Sequence, residues 1–170
     1  MTLVELLVAC VILVVVMAAL SNVLVSGLSA GTHTDARLTS QQSVRVAFDR
    51  LEYETRCASA AQLVSGGAGV ALTLPAQCPH AVGQVAWCVT GGALQRIAGA
   101  TTCTGTAETF VSAVTSATPF SCIAPVGSLP RLQVTLTVNT TGSAADATTA
   151  VDTITLRNAT ATTAGTAMCS

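Results

Sequence analysis

MTLVELLVACVILVVVMAAL, residues 1–20, carries a single charged side chain, Glu5, in a run otherwise built of apolar and uncharged residues. No charge follows it from Leu6 to Gly31. About 20 such residues suffice to cross a bilayer as a helix. The run differs from a secretory signal peptide, which places a positive segment ahead of its apolar core and a small-residue cleavage site behind it. Glu5 is the difficulty. An ionised acid inside a bilayer costs about 2.5–3.5 kcal/mol on insertion scales, so it is expected to find a partner there.

The helical signal does not stop at the end of the apolar run. Residues 33–60, HTDARLTSQQSVRVAFDRLEYETRCASA, contain neither Gly nor Pro, and Val44, Ala47, Phe48 and Leu51 recur at helical spacing. Arg45, Asp49, Arg50, Glu52 and Arg56 fall on the other side, which predicts an amphipathic helix. Gly27 and Gly31 lie between the two parts, where a bend is expected. One helix of roughly 55 residues at about 1.5 Å each would be on the order of 80 Å long, more than a bilayer needs.

Met1-Thr2-Leu3-Val4-Glu5-Leu6-Leu7-Val8 resembles the mature N-terminus of type IV pilins and type II secretion pseudopilins. Their pattern is an apolar first residue followed by Thr-Leu-Ile/Val-Glu-Leu-Leu/Met-Val. Phe is commoner than Met at the first position, and Asn22 stands where many members carry a kinking proline. The resemblance implies an α+β pilin fold: residues 1–30 as a transmembrane and filament-core helix, 31–60 as an amphipathic helix, and 61–170 as a disulfide-stabilised β-rich head. It further implies that a prepilin peptidase removes a short leader, that the new amine on Met1 is N-methylated, and that Glu5 pairs with that amine on a neighbouring subunit. Leu3, Leu6, Leu7, Val11 and Val14 would be core contacts among copies of the chain and other pilins. The subunit would wait in the cytoplasmic membrane and then join a cell-surface filament.

Composition fits one domain beside such a helix. The 170 residues are 51% hydrophobic with net charge −1, so no global attraction to nucleic acid or anionic lipid is expected. Charge is concentrated between Asp35 and Arg56, and from residue 58 onward only Arg96, Glu108, Arg131, Asp146, Asp152 and Arg157 are charged. DNA capture, as by a competence pilin, would call for clustered cations, and the body offers only Arg96, Arg131 and Arg157. A minor pseudopilin of a secretion system is the nearest alternative to a pilus subunit, because residues 42–52 loosely resemble the second helical half of minor pilins and pseudopilins.

Six cysteines, Cys57, Cys78, Cys88, Cys103, Cys122 and Cys169, lie apart from Cys10 in the apolar run. An even set points to three disulfides formed outside a reducing compartment, with connectivity open. The short separations favour Cys103–Cys122 and Cys78–Cys88, leaving Cys57 for Cys169. Cys10 reads as a small apolar residue in a helix bundle. Zinc is the competing reading, but Cys78-Pro79-His80 lacks partner ligands at the usual spacings, so no metal and no cofactor are expected.

The body reads as strands. Val85–Thr90, Gly91-Gly92 and Ala93–Ile97 form a hairpin signal, since two glycines supply the positive φ of a tight turn. Val70–Leu74 is expected to precede it. Leu132–Val138 and Asp152–Leu156 alternate polar and apolar residues and are expected to pair across a loop over 139–151. One antiparallel sheet of four or five strands on the charged half of the helix is the expected arrangement. No catalytic set is read. His33 and His80 stand beside no nucleophile motif, Ser65-Gly66-Gly67-Ala68-Gly69 lacks the Lys-Ser/Thr ending of a phosphate loop and reads as a flexible link from helix to sheet, and Glu52 and Glu54 point to different helix faces. Asn139-Thr140-Thr141 and Asn158-Ala159-Thr160 fit glycosylation sequons.

Overall fold

A computed structural model describes residues 2–78, 83–123 and 129–159. Met1, Pro79, His80 and Cys169, and with them the expected N-methyl amine, part of the zinc reading and one disulfide partner, lie outside the described residues. The described residues form a helix α1 (Leu3–Cys57) and eight strands: β1 (Ala60–Val64), β2 (Gly69–Thr73), β3 (Gln84–Thr90), β4 (Ala93–Ala98), β5 (Ala107–Val111), β6 (Phe120–Ile123), β7 (Arg131–Val138) and β8 (Thr148–Thr155). The chain divides into two compact units, Met1–Leu38 and Thr39–Ser170.

In the first unit the helix passes through Gly27 and Gly31 without interruption, so neither glycine breaks it. Neither glycine has any atom within 4 Å of where a Cβ would sit, so no close contact calls for glycine there. Ser21, Ser26 and Thr34 fold their hydroxyls back onto the carbonyls of Met17, Asn22 and Ala30 at 2.8–2.9 Å, which satisfies them without leaving the helix surface.

The second unit holds the core. Val44, Ala47 and Leu51 are buried as their spacing predicts, and they share one cluster with Val70, Leu72, Val85 and Trp87 from one sheet and Leu132, Val134, Leu136 and Ile154 from another. The described residues thus form two antiparallel sheets in place of the single one expected: β1-β2-β3-β4-β5 and β6-β7-β8. They meet where Val114 bridges Val138, beyond the end of β5. The hairpin β3–β4 forms as read, with Gly91 and Gly92 at φ 60° and 71°. The strands β7 and β8 pair along their whole length, but β8 begins at Thr148 and takes up residues expected to be loop.

Ser65–Gly67 is a tight turn between β1 and β2, not a helix-to-sheet link. Gly69, its neighbour, is required by close approach: a Cβ there would come within 2.8 Å of the sulfurs of Cys88 and Cys103. Those two cysteines form one disulfide, on the sheet face opposite Trp87, among Ala86 and Ile97. The other described disulfide is Cys57–Cys78, which ties the end of α1 to the segment leading into β3. The expected pairings Cys78–Cys88 and Cys103–Cys122 are therefore wrong, and Cys57 is not available to Cys169. The reason is the pleat. Cys78 and Cys122 pack with the cluster under the helix, whereas Cys88 and Cys103 pack on the far face of the five-stranded sheet, where short sequence separation cannot bring the two sets together. Among the described residues Cys10 and Cys122 form no disulfide.

Candidate functional site

Two places concentrate the chemistry, one in each unit. The first is the start of α1. Thr2 precedes the first helical residue and Glu5 sits three positions on, which is the spacing of a capping box. The Glu5 carboxylate reaches back, and its Oε2 accepts the Thr2 backbone N–H at 3.0 Å and the Thr2 hydroxyl at 3.5 Å. Acid in the first turn also complements the positive end of the helix dipole. The Thr-x-x-Glu spacing in the sequence is the signal for this local bond, which stands beside the inter-subunit role expected of Glu5.

Around Glu5 every described residue from Thr2 to Asp35 is exposed. Leu3, Leu6, Leu7, Val11 and Val14, expected to be core contacts, are 83%, 59%, 58%, 55% and 65% accessible among the described residues. The helix is long and apolar enough to cross a membrane, with a mean hydropathy of 3.1 in its most apolar window. Cys10 lies on this same uncovered surface.

The second place is a buried ion network at the other end of α1. Glu54 is 3% exposed. Its Oε1 accepts from Arg96 Nε at 2.9 Å and from Arg50 Nε at 3.0 Å, and its Oε2 accepts the indole N–H of Trp87 at 2.8 Å. Trp87 and Arg96 stand opposite each other on β3 and β4, so adjacent strands present both donors to one carboxylate. The Trp87 ring also packs on Phe110 of β5, with centroids 4.9 Å apart. A buried charge is tolerated only with such partners. The bonds from Trp87 and Arg96 tie the helix to the five-stranded sheet, and Arg50 adds a third donor from α1 itself.

Periodicity carries a signal for this network. Position 54 continues the stripe Val44, Ala47, Leu51, and Arg96 shares a strand face with buried Leu94, so two charges fall on core-facing positions. Glu54 and Glu52 do point different ways: Glu52 pairs with Arg56 on the outer side. Arg96, one of three cations counted toward DNA, is 8% exposed and ion-paired, whereas Arg131 and Arg157 are exposed. Asn158, in one of the sequons, donates its side-chain amide to the Cys57 carbonyl at 3.2 Å and so helps close the end of α1. Among the described residues no group of three His, Cys, Asp or Glu side chains is placed to hold a metal ion.

Comparison of the chain with models of known protein families, with curated proteins and with solved structures finds no match.

Proposed function

We propose that this chain is a structural subunit of a type IV pilus-like filament, held in a membrane by the first half of α1 and drawn from it into a helical polymer of copies of itself and other pilins. The observation that carries the reading is the exposed apolar surface from Leu3 to Leu28 with Glu5 as its single charge, one turn from its start. Apolar surface of that extent needs cover from lipid or from other chains. An acid placed at its tip is suited to answer a neighbour's terminal ammonium when helices bundle, because opposite charges in a dry core neutralise each other and fix the register. A head closed by disulfides suits life outside a reducing compartment. Direct DNA capture by one subunit loses support, since Arg96 is committed to Glu54.

The test is intact-mass and N-terminal analysis of filaments sheared from the cell surface, with Glu5→Gln alongside. The reading expects abundant chain in the sheared fraction with a methylated first residue, and a large fall in fibre yield in the variant. Presence only at trace level would reassign it to a minor or secretion subunit. Absence of the chain from filaments, with fibre yield unchanged in the variant, would reject the reading.

A further inference from the structure

Among the described residues, one edge of the sheet β6-β7-β8 in the second unit has no strand paired to it. β8 is the outer strand of β6-β7-β8, eight residues long and free of proline, a residue that commonly blunts such edges. In antiparallel pairs, residues alternate between exchanging hydrogen bonds with the partner and facing away from it. The Leu156 N–H donates to Pro130 O at 3.0 Å, which assigns the even-numbered residues to β7 and turns Thr149, Val151, Thr153 and Thr155 toward the open side. Beside that edge a groove of about 430 Å³ runs between β8 and α1, floored by Val44, Phe48 and Ala150.

Charge along the groove is one-sided. Asp49, Glu52 and Asp152 line it against Arg45, and Glu52 is already paired with Arg56. Asp152 stands on the same strand face as Ala150 and buried Ile154, an inward-pointing acid on an edge strand. Its Oδ1 accepts the backbone N–H of Thr153 at 2.7 Å and so closes one of the edge donors. An acid in this position discourages pairing by uncharged strands. A second β8 docked antiparallel about its centre would bring two Asp152 carboxylates to neighbouring positions, which is unfavourable.

We propose that the β8 edge is a strand-addition site for an extended segment of a different chain that carries one arginine or lysine among apolar residues. Main-chain bonds to Thr149, Val151 and Thr153 would give the adhesion, apolar side chains would lie over Val44 and Phe48, and the cation would draw Asp152 away from the Thr153 N–H. This inference is independent of the filament reading.

Full-length chain in detergent micelles is titrated against a labelled, capped eight-residue peptide alternating threonine and valine with one central arginine, and against the same peptide with glutamate there. The arginine peptide is expected to bind at least about tenfold more tightly. Val151→Pro removes an edge donor at a residue 59% exposed and is expected to abolish binding, with the near-ultraviolet signal of Trp87 reporting an intact head. Should that variant misfold, Asp152→Asn decides instead: it is expected to erase the preference between the two peptides. Equal binding of both peptides to the unaltered chain, or no binding, overturns the proposal. Self-association lost in Val151→Pro without peptide binding assigns the edge to a second copy, and binding that requires removal of residues 160–170 assigns it to the chain's own C-terminus; either result overturns it.

Discussion

The two halves of α1 have opposite relations between hydropathy and burial. From Leu3 to Leu28 the helix is predominantly aliphatic and every residue is exposed, while from Val44 to Thr55 it is rich in charge and buries Val44, Ala47, Leu51, Glu54 and Thr55 against the sheets. The second half has found its cover within the chain, and even its buried acid has three donors. The first half has not. What the described residues leave uncovered over such a length is a statement about their surroundings, and here those surroundings are proposed to change from lipid to the helices of neighbouring subunits.

That contrast can be broken by substitution. The largest effect is expected from Glu54→Ala, which leaves Arg96 buried without its partner and should cost about 3–5 kcal/mol in chemical denaturation of the head, followed by Trp87 fluorescence. Leu51→Ala, at 1% exposure, should cost about 2–5 kcal/mol in the same assay. Its counterpart Leu13→Ala, at 61% exposure, should leave the unfolding of the head within about 0.5 kcal/mol, which sharpens the comparison between the halves. Replacing Cys57 and Cys78 by serine together opens a link of sequence separation 21 and should destabilise the head by about 3 kcal/mol. Glu5→Gln should have the smallest effect on the isolated subunit: faster amide exchange in the first turn of α1 and no change in the melting of the head.

Legibility in the sequence followed the strength of periodic signals. The helix, the β3–β4 hairpin and the β7–β8 pair could be read because each combines a clean period with a clear boundary, such as Gly91-Gly92. Strands β1, β5 and β6 were missed because Ala60–Val64, Ala107–Val111 and Phe120–Ile123 are four or five residues long and lack regular alternation. Their pairing comes from neighbours, which a single sequence does not display. The disulfides were misassigned because proximity along the chain says nothing about which face of a pleated strand a sulfur takes. At the tip of α1, Glu5 stands out in the sequence by its cost in lipid, whereas its hydrogen bond to Thr2 follows from the capping spacing alone. Glu54 and Arg96 needed both periods to be read at once, helical for one and alternating for the other.

The central claim is that the surface from Leu3 to Leu28 is covered by other subunits in the working molecule. It is tested most directly by placing a photo-crosslinking amino acid at Val14 and irradiating intact surface filaments. The account predicts covalent adducts joining this chain to another copy or to another pilin, recovered in the sheared fraction. Adducts confined to lipid, with no chain-to-chain product, would contradict it.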